Sequence, residues 1–295
     1  MFPQAGAEGL ESLRAELDPD GAECAALLDP ARPIVLARRR KDSGLAPSVA
    51  PGLGEVGAML PYSPLHHLLL DAFGGPVVAT SGNVSGEPVL TDPAEAETRL
   101  ATVADAFLHH DRPIVRPADD SVMRVAAGRA RPIRLGRGTA PLELELPAAL
   151  PEPVLAVGGH LKLAVALAWD RRVVVSPHIG DMGTLRSEQV FEQVVADLQR
   201  LYDVTARHWL CDAHPGYTTT RWVQSSGQPY STVLHHHAHA SALVTEHVVS
   251  DPAIVFAWDG VGYGADGTLW GGETFTGRPG AWSRTASLRS FRLPG

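Results

Sequence analysis

Hydrophobic and polar positions change regime along this chain, and the changes outline its elements. In the first half, short apolar runs such as Ile34-Val35-Leu36-Ala37 and Val77-Val78-Ala79 break off into polar or glycine-rich loops, while the apolar residues of Leu65–Phe73 recur at helical spacing. That alternation predicts an α/β fold. In the second half, the strand Val154–Val157 runs into Gly158-Gly159, and Leu163–Trp169 and Val173–Val175 flank Asp170-Arg171-Arg172 in the pattern of a β-hairpin. Val190, Phe191, Val194, Val195, Leu198 and Leu201 share one face of a helix for which Ser187 is a plausible N-cap, so the stripe is core. Residues 235–247 are predicted helical from their alanines and leucine. Strand Ala253–Trp258, a glycine-dense loop over 259–267 and the turn-ending Trp270-Gly271-Gly272-Glu273 follow.

A length of 295 residues suits two domains, each able to bury its own core. Residues 139–153 carry four prolines and three glutamates without helical period, which predicts a stiff extended connector and a boundary near residue 150. The expected division is 1–140, a linker over 141–152, and 153–295. No internal repeat or low-complexity tract interrupts it. The net charge of −8 gives no general attraction for nucleic acid or an anionic membrane, so an anionic ligand needs a local basic or backbone-amide site. Cys24 and Cys211 lie far apart in apolar surroundings, which fits a reducing compartment. With no apolar run near 18 residues and no signal-like start, the chain is expected to be soluble and cytoplasmic, with no membrane partner.

The densest candidate chemistry is His235-His236-His237-Ala238-His239. On a helix, His235 and His239 project from one face, close enough to share a cation. Taken alone, the pair fits a solvated or capping cluster equally well. Asp259 shifts the balance, because it closes an apolar strand and opens a glycine-rich segment where a carboxylate can be held beside a ligand. Two imidazoles and a carboxylate suit zinc or iron, and spacing does not choose between them. Four glycines between Asp259 and Gly267 let backbone amides approach an anion, as a phosphate cradle would require; an ordinary hairpin turn is the alternative. Lys162, after Gly158-Gly159, is a weaker phosphate candidate that in isolation reads as a solvated strand residue. In the first half, Thr80-Ser81-Gly82-Asn83-Val84-Ser85-Gly86 offers hydroxyls and an amide for a nucleotide or acyl phosphate, with an ordinary polar loop as the alternative. Arg116, Arg124, Arg134 and Arg137 supply positive charge after it, around Asp119-Asp120-Ser121.

From about residue 30 to residue 276 the sequence resembles the HypF carbamoyltransferases that mature NiFe hydrogenases. Thr80-Ser81-Gly82-Asn83, Arg116–Val122 and Arg137-Gly138 resemble the family's YrdC-like domain. Ser176–Asp181, Cys211-Asp212-Ala213-His214-Pro215-Gly216-Tyr217, the histidine run and Asp259-Gly260 through Trp270–Glu273 resemble the start of its Kae1-like domain, the first lobe of an actin-like ATPase fold. The resemblance implies an ATP-dependent carbamoyltransferase: carbamoyl phosphate and ATP give a carbamoyl-adenylate, whose carbamoyl group passes to the C-terminal cysteine of a HypE-like acceptor. It implies His235, His239 and Asp259 as ligands of a zinc or iron ion. Nucleotide contacts, with Mg accompanying the nucleotide, are implied at Thr80, Ser81, Asn83, Arg134, Arg137, Lys162, Gly260, Gly262, Gly264, Gly271 and Gly272. No nucleophile on this chain is demanded, since the thiol belongs to the acceptor.

The departures from the family pattern carry expectations of their own. Its acylphosphatase-like domain, zinc fingers and opening YrdC-like strand have no counterpart here, a fourth metal-ligating aspartate is expected beyond residue 295, and Leu135 stands where arginine usually repeats. A fragment, split protein or short form is therefore expected, with weak metal binding and little transfer by the chain alone. The alternatives are a tRNA threonylcarbamoylation-type enzyme, a natural-product O-carbamoyltransferase and a non-catalytic nucleotide-binding fragment. The acidic balance disfavours direct nucleic-acid contact.

Overall fold

The structure is a computed structural model that describes residues 1–289. The chain forms two compact units that divide between Leu142 and Glu143. No helix among the described residues is long and apolar enough to cross a membrane.

The first unit begins with helices α1 (Glu11–Glu16) and α2 (Gly21–Leu28), the second opened by a capping box between Asp20 and Glu23. Strands β1 (Ile34–Arg38), β2 (Glu55–Ala58), β3 (Val122–Ala126) and β4 (Arg129–Arg134) form a sheet in the order β2-β1-β3-β4, with β1 and β3 parallel and the other pairs antiparallel. Leu10, Leu13, Leu17 and Leu27 of the helical segment pack on Val35, Ala37, Val56 and Ala58 to make the core. The predicted helix over Leu65–Phe73 is α3 (Pro64–Phe73), started by the Ser63 side chain and stopped by Gly74 at φ +77°. Helix α4 (Pro93–Leu100) follows α3 in the chain and precedes β3. The strand expected at Val77–Ala79 does not form, and Val78 is 78% exposed. An apolar run becomes a strand only where a neighbour completes its ladder. Here Val77 N–H donates to the Met1 carbonyl.

The second unit contains a six-stranded sheet, β10-β9-β6-β7-β8-β5. Its members are β5 (Leu142–Glu145), β6 (Val154–Ala156), β7 (Ala166–Trp169), β8 (Arg172–Val175), β9 (His208–Asp212) and β10 (Tyr230–Val233). Strands β6, β9 and β10 run parallel, and β7–β8 is the predicted hairpin, turning at Asp170 with φ +47°. The segment expected to be a stiff extended connector contributes an edge strand: alternating Leu and Glu at 142–145 supply a two-faced pattern that the open edge of β8 accepts. Helix α5 (Leu185–Tyr202) packs Val190, Phe191, Val195 and Leu198 on the sheet core. Its N-cap is Thr184 rather than Ser187, which sits three residues on and completes the capping box. Leu201 is 58% exposed, contrary to the predicted stripe. At about 100° per residue it falls on the flank of a face centred on Phe191 and Leu198. Helix α6 (Thr218–Ser225) follows β9.

Helix α7 (His235–Glu246) packs Ala240 and Val244 against Val255, Ala257, Trp270 and Phe275 of a three-stranded antiparallel sheet, β11 (Ala253–Tyr263), β12 (Leu269–Arg278) and β13 (Ala281–Ser287). The expected glycine-dense loop is mostly strand. Residues 259–263 continue β11 past a register irregularity between Trp258 and Gly262, leaving the turn to residues 264–268.

Candidate metal centre

His235 and His239 lie one turn apart on α7, and Asp259 reaches them from β11 near the irregularity. One ligand atom from each of the three lies within 4.8 Å of the others. His235 Nε2 is 3.0 Å from Asp259 Oδ2 and 3.3 Å from His239 Nε2. The remaining pair, His239 Nε2 and Asp259 Oδ2, is 3.8 Å apart. Two imidazole nitrogens and a carboxylate oxygen converging in this way form the donor set that zinc or iron prefers, so the residues present fit such an ion. On its other side, His235 Nδ1 meets Asp212 Oδ2 at 2.8 Å, from the end of β9. That hydrogen bond, with Asp212 and Asp259 charge, raises the His235 pKa above its ordinary value against an opposing effect of burial. Burial is the main cause that lowers His239, helped by neighbouring histidine charge.

The intervening histidines serve packing. His236 is fully buried and its Nε2 donates to the Gly271 carbonyl at 2.7 Å, while His237 meets the edge of Phe275 with ring centroids 5.0 Å apart. The glycines divide the same way. A Cβ on Gly262 would lie 2.6 Å from His236 Nδ1, one on Gly264 would lie 2.1 Å from Trp270 Nε1, and one on Gly272 would lie 2.3 Å from Leu288 Cδ1. Those three positions are glycine because helix or side chains press on the strand. Gly260 faces open space and Gly271 makes only ordinary contacts. Beside the cluster opens a cavity of about 850 Å³, lined by Gly158, Gly159, Asp212, His235 and His239 among others. Lys162 is not among its lining residues; it holds φ +51° and its backbone N–H donates to Asp181 Oδ1 at 2.7 Å.

Comparison with known proteins places these features. The HypF Kae1-like domain family matches residues 149–246, and the second subdomain of the carbamoyltransferase Kae1-like domain matches 255–295. A family described as telomere recombination, which groups Sua5, YciO and YrdC, matches 8–136. Carbamoyltransferase HypF of Synechocystis is 44% identical over 94% of this chain and 36% of its own length, and that of Rhizobium leguminosarum is 40% identical over 97% and 38%. A crystal structure of full-length HypF in a phosphate- and nucleotide-bound form superposes with a TM-score of 0.89 at 36% identity, covering 93% of this chain and 44% of that one. The structure of T. kodakarensis HypF gives 0.90 at 33%, covering 97% and 38%. The chain belongs to the HypF family. It spans just over a third of the length of the curated relatives named here.

Within the YrdC-like region of this HypF-family chain, the predicted nucleotide residues are less convergent. Thr80 and Ser81 are exposed, and Ser81 Oγ donates to Asn83 Oδ1 at 2.5 Å. The Asn83 amide donates to the carbonyls of Val84 and Glu87, so it shapes the loop from within. Arg137 is committed to the fold: its guanidinium donates to the Ala31 and Arg32 carbonyls, pairs with Asp120 at 2.9 Å and lies 3.5 Å from the Tyr62 ring centroid. Arg134 Nε donates to the Asp120 carbonyl, and Arg124 pairs with Glu55. One residue that contacts the cluster, Asp212, was not singled out by sequence reasoning. It lies in the Cys211–Tyr217 motif without having been given a site role, and its place at the carboxyl end of a parallel strand, where α/β sheets bind ligands, is a second signal.

Proposed function

We propose that this chain supplies the metal and nucleotide machinery of an ATP-dependent carbamoyltransferase, acting with carbamoyl phosphate on the C-terminal cysteine of a HypE-like acceptor. The observation that carries the reading is the His235, His239 and Asp259 cluster beside a cavity of about 850 Å³, the histidines within the region matched to the HypF Kae1-like domain and Asp259 within that matched to the second subdomain of the carbamoyltransferase Kae1-like domain. A zinc or iron ion held by those three side chains adds positive charge where nucleotide phosphates accumulate negative charge. The chain's own residues do the rest. Gly158 and Gly159 line the cavity proposed to take the nucleotide, with Mg accompanying its phosphates, and the exposed hydroxyl of Thr80 presents a donor in the first unit.

In the proposed sequence, carbamoyl phosphate is first hydrolysed to carbamate and inorganic phosphate by the acylphosphatase-like segment supplied in trans; carbamate oxygen then attacks the α-phosphorus of ATP, a P–O bond forms, the bond between the α- and β-phosphates breaks and pyrophosphate leaves. The acceptor thiolate then attacks the carbamoyl carbon, a C–S bond forms and AMP departs with the former C–O bond electrons. Water must be excluded between the two steps, because the adenylate hydrolyses readily. The net charge of −8 disfavours nucleic acid as a ligand in this scheme. The test is mass spectrometry of the acceptor's terminal cysteine after incubation with ATP, carbamoyl phosphate and divalent metal, the remaining segments of a HypF relative being supplied in trans. Modification that needs ATP and disappears in a His235→Ala, His239→Ala variant is expected. Modification without ATP, or unchanged in the variant, would contradict the reading.

A further inference from the structure

We infer that Asp212 is a positioning residue: its carboxylate fixes the ring orientation of His235 and the Nδ1–H tautomer, which leaves Nε2 as the coordinating atom. The inference rests on the reading of His235 as a metal ligand only for its purpose, and its geometry stands independently. Asp212 is held at both carboxylate oxygens. Oδ1 accepts the backbone N–H of His214 at 2.8 Å, and Oδ2 lies 2.8 Å from His235 Nδ1. The Thr220 hydroxyl donates to the Asp212 backbone carbonyl at 3.0 Å, which pins the residue at the end of β9. A carboxylate anchored at Oδ1 by the His214 N–H and buried at the end of β9 has little freedom to follow a rotating ring, so the ring follows it.

An ionised carboxylate only accepts hydrogen bonds, so the atom facing Asp212 must be the protonated one. Asp259 competes for a proton on Nε2, but from a weaker position. Its side chain is 33% exposed and 3.0 Å away, against 5% exposed and 2.8 Å for Asp212. Water can hydrate Asp259 when it receives no hydrogen bond from Nε2, whereas unpairing a buried carboxylate carries its full desolvation cost. The neutral ring therefore keeps its proton on Nδ1, and the Nε2 lone pair points at Asp259 and His239. Metal-ligating histidines commonly gain orientation and basicity from such a partner.

The experiment is 15N NMR of histidine-labelled, metal-free protein in alkaline buffer, where the ring is neutral, with His235→Gln to assign the resonance. Wild-type protein should show Nδ1–H. In Asp212→Asn the single carbonyl oxygen stays with His214 N–H and the amide group turns its own protons to His235 Nδ1, so the ring should switch to Nε2–H while circular dichroism is unchanged. Zinc affinity by chelator competition should fall about 10–100-fold in that variant. A wild-type ring protonated on Nε2, or no tautomer change in Asp212→Asn, overturns the inference. Zinc bound no better by wild type than by a His235→Ala, His239→Ala variant overturns the metal reading instead, and the tautomer result still decides the role of Asp212.

Discussion

The Thr80–Gly86 loop and the His235–Asp259 cluster are both rich in polar side chains, yet they use them in opposite ways. In the loop, Ser81 and Asn83 bond to each other, and the Asn83 amide returns to the backbone of its own turn. In the cluster, helix α7 and strand β11 aim three side chains at a common point, and β9 braces one of them from behind. The supports differ accordingly. Phe275 and Trp270 are buried beneath α7, whereas the segment preceding the loop leaves Val78 78% exposed. Residues become a site when separate rigid elements force them together, and residue type alone does not achieve it.

The largest effect that sharpens this contrast comes from the support. Phe275→Ala removes a fully buried ring from the core under α7 and should cost about 3–5 kcal/mol in denaturant unfolding of the second unit. Val78→Ala should stay within roughly 0.5 kcal/mol. Equal effects would break the comparison. Next in size is Gly262→Ala, whose new methyl group meets His236 Nδ1 and the His235 Cβ and should cost about 1–3 kcal/mol, while Gly260→Ala, facing open space, should be near neutral. Chemical denaturation of the two variants side by side checks this.

In the loop, Asn83→Ala removes two side-chain to backbone bonds and should cost about 1 kcal/mol, with faster proteolytic nicking at 80–87. The smallest effect is a pH dependence. Because the Asp212 hydrogen bond and neighbouring carboxylates raise the His235 pKa, its contribution to stability in the metal-free protein is complete below the ordinary value of 6.5 and is lost as pH rises through the raised value. The difference in melting temperature between wild type and His235→Ala should therefore narrow on going to alkaline pH. A difference that widens would reverse the assignment of Asp212 as the dominant partner.

Local periodicity made part of this legible in advance. The spacing of His235 and His239 is a property of one helix, which formed as expected, whereas Asp259, expected to close a strand and open a loop, lies within a strand that continues to Tyr263. The hairpin at Asp170 and the helix over 64–73 were readable for the same reason. Asp212 stood in a motif that was read, but its role was hidden because its contact with His235 spans 23 residues and two elements, which no local pattern encodes. The crowding of Gly262 and Gly264 by His236 and Trp270 was not readable from glycine count, which cannot distinguish a ligand approaching the chain from a packed side chain doing so. Val77–Ala79 looked like a strand because hydrophobicity reports the wish for a partner and not its presence.

The central claim is that α7 and β11 build one cation site from three side chains. Metal content after equilibrium dialysis against zinc, in the wild-type chain and in the His235→Ala, His239→Ala double variant, tests it most directly. Retention by the wild-type protein and loss by a folded double variant is the predicted result. Equal metal content in the two would contradict it.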